Sequence, residues 1–437
     1  MPAPIIMGGQ WGDEGKGKLT DVLAGRADLV IRANGGSNAG HTVITEAGTF
    51  KLRLVPSGIL NPDCVCIIGT GVVVETATLV KEIRDLRARG ISFDNFVISE
   101  RAHVVLPYHP VIDTLEELAR EEQQIGTTRL GNGPAYADKA ARRGVRIADL
   151  RDPETLQRVA GQAIDEHNDV ITRFYGAPAL DREQMLRELE EEAQVIRPFI
   201  RATENLVQDY MDEGKEAVIE CAQAAMLDVD YGTYPYVTSS ATTAAGACQG
   251  AGIAPTQVSR VIAVYKAYTT RVGGGPMPTE LHGELAHTLR ERAQEYGTGT
   301  GRARRIGWFD GVPARQAARL NGVTEINLYR LDILDELDEI QICVGYEKNG
   351  VISRAFPAVI DDLKDATPVY ETYPGWQSDI SEAGSIAELP ENARRYIAAI
   401  ERIVGAPVTT VGTGPMRHQL VGLSGQTPTP DLAGSRS

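Results

Sequence analysis

An apolar run, Ile5-Ile6-Met7, leads into Gly8-Gly9-Gln10-Trp11-Gly12-Asp13-Glu14-Gly15-Lys16-Gly17-Lys18, and a helical pattern over residues 19–23 leads out. Strand, glycine-rich loop and helix, in that order, cradle phosphate on backbone N–H groups at a helix N-terminus. Residues 12–18 fit G-x-x-x-x-G-K, yet Leu19 follows where that motif carries a magnesium-binding Ser or Thr. Asp13, inside the loop, is the residue placed to hold the metal instead. A carboxylate beside bound phosphates is repelled unless a cation or the chemistry needs it there. The loop therefore points to phosphoryl transfer with an acid/base or metal role built into it.

The chain around this loop alternates short β-rich runs with helical stretches. Leu29-Val30-Ile31 and Val65-Cys66-Ile67-Ile68 read as buried strands, and residues 76–89 as an amphipathic helix. Strand signals return at Ala217-Val218-Ile219, Val261-Ile262-Ala263-Val264, Ile326-Asn327-Leu328-Tyr329, Ile340-Gln341-Ile342-Cys343-Val344 and Val408-Thr409-Thr410-Val411. The expected fold is α/β: one domain over residues 1–437, with a large, mostly parallel central sheet flanked by helices and a P-loop-like phosphate site. Residues 111–210 read as a charged helical subdomain within it, and residues 426–437, rich in Pro, Ser and Gly, as a disordered tail. Glycine loops recur after predicted strands at residues 35–37, 69–71, 273–275 and 412–414. At one sheet edge they can form an extended cleft.

The formal charge of −15 argues against non-specific nucleic-acid or anionic-membrane binding. No signal peptide or 18-residue apolar run is present, so a soluble cytoplasmic protein is expected. Five scattered cysteines without metal spacing read as buried free thiols.

Three further segments carry chemistry. In Asn34-Gly35-Gly36-Ser37-Asn38-Ala39-Gly40-His41-Thr42, His41 sits among small residues where a backbone can approach a ligand. A lone His is more often structural, but this setting favours donation to developing phosphoryl charge. Gly299-Thr300-Gly301-Arg302-Ala303-Arg304-Arg305 offers three arginines for a small dianionic substrate, against a solvated basic turn. Tyr329-Arg330-Leu331-Asp332 weakly resembles a guanine-reading Lys-x-Asp, where a helix-capping Asp is the ordinary alternative.

Taken together, these segments resemble the adenylosuccinate synthetase family over essentially the whole chain. Residues 10–18 carry the most specific match. Ala141-Arg142-Arg143-Gly144, Tyr231-Gly232-Thr233-Tyr234-Pro235 and Pro278-Thr279-Glu280-Leu281 support it. The resemblance implies a magnesium-dependent ligase that joins L-aspartate to C6 of a 6-oxopurine nucleotide through a 6-phosphoryl intermediate. It implies Asp13, His41, Lys16 and Gln223 as catalytic residues, and Asp13 with the Gly40 carbonyl on Mg2+. Asn38, Thr128, Arg143, Gln223, Thr238 and Arg302 would bind the purine monophosphate, Arg143 from the other subunit of a homodimer. Thr300, Arg302 and Arg304 would bind aspartate. Gly12, Gly15, Lys16, Gly17, Gly40, Thr42, Arg304, Arg330, Asp332, Gly412 and Gly414 would bind the nucleoside triphosphate.

The chain departs from the family pattern around ligands. Leu130 stands at an arginine position, with Arg129 one residue earlier. Glu220-Cys221-Ala222-Gln223-Ala224 replaces Glu-Gly-Ala-Gln-Gly. Ser37, Ala303 and Tyr329-Arg330 are further changes. Drift would fall mostly on helix surfaces, so the clustering implies retained chemistry with altered substrates. The expectation is a relative of the phage N6-succino-2-amino-2′-deoxyadenylate synthases, joining aspartate to dGMP with ATP, or with dATP or GTP, for 2-aminoadenine DNA, in the host cytoplasm if phage-encoded. The alternative is the ordinary reaction on IMP with GTP. A catalytically silent nucleotide-binding protein is disfavoured because Asp13, Lys16 and His41 are all present.

Overall fold

The computed structural model describes residues 3–45, 47–297 and 301–422. Its centre is a ten-stranded sheet. From one edge the strands run Leu420–Gly422, Val408–Gly412, Glu325–Tyr329, Val258–Lys266, Ala3–Gly8, Ala217–Glu220, Leu29–Arg32, Val65–Ile68, Phe96–Ser99 and Ile200–Arg201. Every pairing is parallel except the first, where Leu420–Gly422 turns back on Val408–Gly412.

The apolar runs follow from burial on both faces. Ile5 and Met7 enter one core with Ile31, Ile219 and Ala263, while Ile6 enters the other with Val30, Val218 and Ile262. Alternate side chains of a strand point to opposite faces, so a strand covered on both sides must be apolar throughout. Each fully buried side chain of this kind contributes about 1.5–3 kcal/mol. The five cysteines are buried free thiols.

One predicted strand belongs elsewhere. The segment at residues 340–344 lies in Glu339–Lys348, at the centre of a second, four-stranded sheet with Phe309–Asp310, Val351–Ser353 and Thr367–Pro374. Its pairings with the last two are antiparallel. Ile340 and Ile342 are buried in the main core and Gln341 between them is not, while Cys343 and Tyr346 further along are buried in a separate small cluster with Val312 and Leu363.

Between the strands Phe96–Ser99 and Ile200–Arg201 the chain forms the helices Tyr108–Ala119, Asn132–Ala141, Pro153–Arg173 and Arg182–Ile196; Thr203–Asp212 follows. Asp152 and Asp181 cap two of them, accepting from Thr155 N at 2.8 Å and Gln184 N at 2.9 Å. Among the described residues no helix is long and apolar enough to cross a membrane.

The carboxyl ends of the parallel strands converge on one edge, where an open α/β sheet binds its ligands. Two of the four glycine loops depart from the expectation. Gly273-Gly274-Gly275 follows a short strand, Thr269–Arg271, paired with Arg305–Gly307 outside the main sheet. Gly71 is packed against backbone: an added Cβ would stand 2.1 Å from the Ala33 carbonyl oxygen. That loop is a close helix–strand contact.

Candidate active site

The helix Lys16–Ala24 begins directly after Gly15, which holds a left-handed φ of 98°. Its loop is braced from within by Glu14. That buried carboxylate accepts from Gln10 N at 3.2 Å and Gly12 N at 2.8 Å, and pairs with Lys16 Nζ at 2.7 Å. Lys16 is therefore a buried, paired cation here, not one standing open to the loop surface. Lys18 donates to the carbonyls of Gly414 at 3.0 Å and Gln419 at 3.2 Å, tying the helix to the segment after the strand Val408–Gly412. Burial pulls its ammonium down to about 7, with Asp332 opposing.

Asp13 turns the other way. Its φ of 61° swings the side chain outward, and Oδ2 meets Arg304 Nε at 2.8 Å. Behind Arg304 lies a chain of buried charges. Glu295 takes Arg304 on one carboxylate oxygen, and Lys266 Nζ and the Tyr268 hydroxyl on the other, each at 2.7 Å. Burial alone would raise the Glu295 carboxyl; Lys266, Arg304 and Arg330 overcome it and bring it down to about 2.

His41 opens the hairpin His41–Thr45/Gly48–Leu52, with Gly40 and Thr42 half-buried beside it. Its Nδ1 lies 2.6 Å from Glu220 Oε1, and Glu220 also accepts from the Ser57 hydroxyl at 2.5 Å and backbone at 3.0 Å. Full burial pushes the Glu220 carboxyl up, but His41, Ser57 and Arg32 more than offset this and the net shift is downward. With Nδ1 held, the ring orientation is fixed and Nε2 is left for a ligand. Gly17 permits the approach: a Cβ there would stand 2.9 Å from the His41 Cβ.

Gln223 occupies a left-handed conformation, donates to Asn38 Oδ1 at 3.0 Å and leaves its buried Oε1 without a partner. Thr238, half-buried, is tied by its N–H to the Leu227 carbonyl at 2.8 Å. The loop bearing Thr128 is anchored on the helix Tyr108–Ala119. Asp113 accepts from the Thr127 hydroxyl at 2.8 Å and Gly131 N at 3.0 Å, and Glu117 from Gly126 N at 2.9 Å. Thr128 itself is exposed. Arg302 reaches the same loop at the Gly126 carbonyl, 3.4 Å away. Thr300 lies outside the described residues.

At the cleft's other end, Arg330 takes a left-handed φ of 64° and presents Asp332, whose buried Oδ1 has no partner. Burial raises its carboxyl, opposed by Arg330 and Lys18. The Tyr329 ring stands between Gly15 and Gly412, filling the space where Cβ atoms would stand 2.9 and 3.0 Å from it. Arg143 stands half-exposed, anchored by Nε to Asp138 at 2.7 Å.

The structure corrects one group expected from sequence. Of the three loop arginines, Arg305 turns away and is taken by Glu280 and the Gly275 carbonyl. It also adds Glu14, Glu220, Lys266 and Glu295, to which sequence reasoning gave no role. Glu220 and Lys266 each end a buried apolar strand, and a charge at such a position is a readable signal. Glu295 carries none.

Together these segments bring to one region a glycine-rich loop at a helix N-terminus, a carboxylate beside it, an oriented histidine and a buried Asp332 oxygen without a partner. The adenylosuccinate synthetase family model matches residues 5–421. The adenylosuccinate synthetase of Thermomicrobium roseum is 52% identical over 96% of this chain and 98% of its own length. That of Carboxydothermus hydrogenoformans is 48% identical over 96% and 99%. Among solved structures, the fully ligated adenylosuccinate synthetase of Plasmodium falciparum superposes with a TM-score of 0.92 at 37% identity, over 97% of this chain and all of that one. The cyanophage S-2L succinoaminodeoxyadenylate synthetase, bound to dGMP and dATP, gives 0.62 at 22% identity over 97% and 95%. At that identity the likeness concerns the fold alone. The chain belongs to the adenylosuccinate synthetase family of C–N bond-forming ligases.

Proposed function

We propose that the chain joins L-aspartate to C6 of IMP with GTP as phosphoryl donor, releasing GDP and phosphate. The carrying observation is 52% identity over 96% of the chain to a protein named adenylosuccinate synthetase, against 22% to the dGMP-bound cyanophage protein. This replaces the dGMP reading drawn from the loop departures. Two of those departures have a local packing explanation. Cys221 and Ala224 are 1% exposed, and Cys221 packs within the main core. Substitutions there adjust packing and carry no information about the acceptor. At the donor base, the orphaned Asp332 Oδ1 favours guanine, whose N1 and N2 hydrogens would satisfy it. Adenine has no hydrogen at N1 and no amino group at C2, so it lacks this pair of donors.

In this reading Asp13 takes the N1 proton of the base, and the 6-oxygen attacks the γ-phosphorus as its bond to the bridging oxygen breaks. His41, oriented by Glu220, donates from Nε2 to the developing charge. The amino group of aspartate, whose carboxylates Arg302 and Arg304 would hold, then adds at C6 and gives up a proton as phosphate leaves. Magnesium fits the residues present. It binds through one or two carboxylates together with substrate phosphates. Arg304 stands against Oδ2 of Asp13, and among the described residues no group of three acidic, His or Cys side chains could form a closed cage. Asp13 and the Gly40 carbonyl would hold the ion, which when bound neutralises charge on the phosphates. A homodimer belongs to the same reading, with Arg143 reaching the 5′-phosphate bound by the neighbouring copy.

Crossing IMP or dGMP with GTP or ATP, in the presence of L-aspartate and Mg2+, tests the proposal by phosphate release. Turnover of IMP with GTP is expected. Turnover confined to dGMP would overturn it. Gly17→Ala tests the histidine's placement: displacement of His41 is expected to lower kcat about 100-fold, as a misplacement of about 1 Å does. A kcat within about threefold of wild type would mean that His41 is not held by this contact.

A further inference from the structure

Behind Arg143 lies a buried polar cluster that the mechanism above does not use. Asp138, on the helix Asn132–Ala141, has a carboxylate only 2% exposed, with four polar side chains around it; one of them, His167, gives its Nδ1 proton to the Ala163 carbonyl at 2.8 Å and packs beside the carboxylate. Arg143 Nε reaches Oδ1 at 2.7 Å. The Tyr108 hydroxyl reaches Oδ2 at 2.8 Å and His109 Nε2 at 3.0 Å, while His167 Nε2 stands 3.3 Å from it. His109 Nδ1 accepts from Leu106 N at 2.8 Å, so its proton sits on Nε2, aimed at Asp138. The Tyr108 ring stacks on His167, with centroids 4.0 Å apart and planes 14° apart. The helices Tyr108–Ala119, Asn132–Ala141 and Pro153–Arg173 thus converge on one carboxylate. Burial raises that carboxyl, and the surrounding donors overcome it, leaving it well below the usual carboxylate range.

The backbone beside the cluster is fixed as well. Arg142 closes the helix at a φ of 63°, and Arg143 N donates to the Asp138 carbonyl at 3.0 Å. With Nε held inward, the two Nη groups form the outer edge of a half-exposed guanidinium, with no carboxylate partner among the described residues. A single exposed ion pair contributes about 0–1 kcal/mol. Three buried side chains gathered on the acidic partner of such a pair serve a different end, which is to fix one orientation of one cation.

We propose that Asp138 is a positioning residue, buttressed by Tyr108, His109 and His167, which sets Arg143 so that its two Nη groups grip a phosphate side by side. A planar fork pinned at Nε loses less rotamer freedom when the anion arrives, so the arrangement acts on affinity for the ground state. The inference rests on the reading of Arg143 as the group that binds the 5′-phosphate of the purine monophosphate.

The test is steady-state kinetics on the full chain with Asp138→Asn, Arg143→Leu and the double variant. Arg143→Leu is expected to raise KM for the purine monophosphate about tenfold or more. Asp138→Asn should raise the same KM by about tenfold, with kcat and the KM values for aspartate and the triphosphate within about twofold of wild type. The double variant should be no worse than Arg143→Leu alone, because both changes remove one interaction. Full additivity, or an unchanged KM in Asp138→Asn while Arg143→Leu raises it, overturns the positioning role. An unchanged KM in Arg143→Leu instead overturns the reading of Arg143 itself. Should Asp138→Asn fail to fold, Tyr108→Phe removes one donor and keeps the ring; a rise of about threefold confined to the same KM is expected, and no rise overturns the proposal.

Discussion

Asp13→Ala is expected to cut phosphate release by about 10²–10⁴-fold, the usual contribution of a positioned general base, in a protein that remains folded. The two halves of that expectation have separate grounds. The Asp13 side chain is 31% exposed, and Arg304, 8% exposed, keeps its pairing with Glu295 when Asp13 is lost, so stability should change by no more than about 1 kcal/mol. Its neighbour on the loop, Glu14, is turned inward onto Gln10 N, Gly12 N and Lys16 and cannot substitute for it. Phosphate release with IMP, GTP and L-aspartate measures the first half, and thermal unfolding followed by circular dichroism measures the second. Turnover within about tenfold of wild type in a folded Asp13→Ala protein would mean that another group takes the N1 proton. Asp13→Asn refines the result. The amide keeps the shape and can still offer an oxygen to a cation, so a variant that binds Mg2+ and both nucleotides yet releases no phosphate would separate proton abstraction from metal binding.

The parts of this site legible in the sequence are those written in contiguous residues. The phosphate loop announces itself because strand, glycines and helix must follow one another within one stretch. The parallel sheet was legible for a related reason: a strand covered on both faces, such as Ala217–Glu220, has no polar alternation to confuse the reading. What stayed hidden are the partners that hold reactive side chains in place. Glu220 meets His41 from 179 residues away, and Glu295 meets Lys266 across 29. Their pairing is set by strand order and helix packing, which no local pattern encodes. The same blindness misled the reading of the departures. Cys221 lies in a ligand-binding segment of the sequence, but the backbone turns it into the core, and only its neighbour Gln223 reaches Asn38. Proximity in sequence to a binding loop is thus a weak guide to which substitutions alter a substrate. The orphaned oxygen of Asp332 is a stronger one, because a buried acceptor without a donor is costly until a ligand supplies it.

Removing the carboxylate beneath Arg304 should have the largest effect on stability of any single change near the site. Glu295→Gln leaves Lys266, 2% exposed, and Arg304, 8% exposed, as buried cations without their shared counter-charge. Breaking a buried ion pair by deleting one partner costs about 3–5 kcal/mol. The acid limb of the wild-type stability curve gives an independent measure of the same network. The Glu295 carboxyl lies near 2 in the folded protein against 4.5 for its ordinary value. Because the folded value is depressed, the contribution is complete above the unfolded value and is lost as pH falls toward 2, amounting to about 3 kcal/mol. Urea unfolding across pH 5 to 3 should therefore show wild-type stability falling with pH, and Glu295→Gln should show a shallower fall from a lower start. Glu295→Gln combined with Lys266→Met should recover part of the loss, since one unpaired cation is then gone. Equal acid limbs in the wild type and Glu295→Gln would mean that the carboxylate is not held by Lys266 and Arg304. The consequence would reach the proposed reaction, because Arg304 joins this network to Asp13: a charge fixed from behind by Glu295 is what keeps the guanidinium beside Asp13.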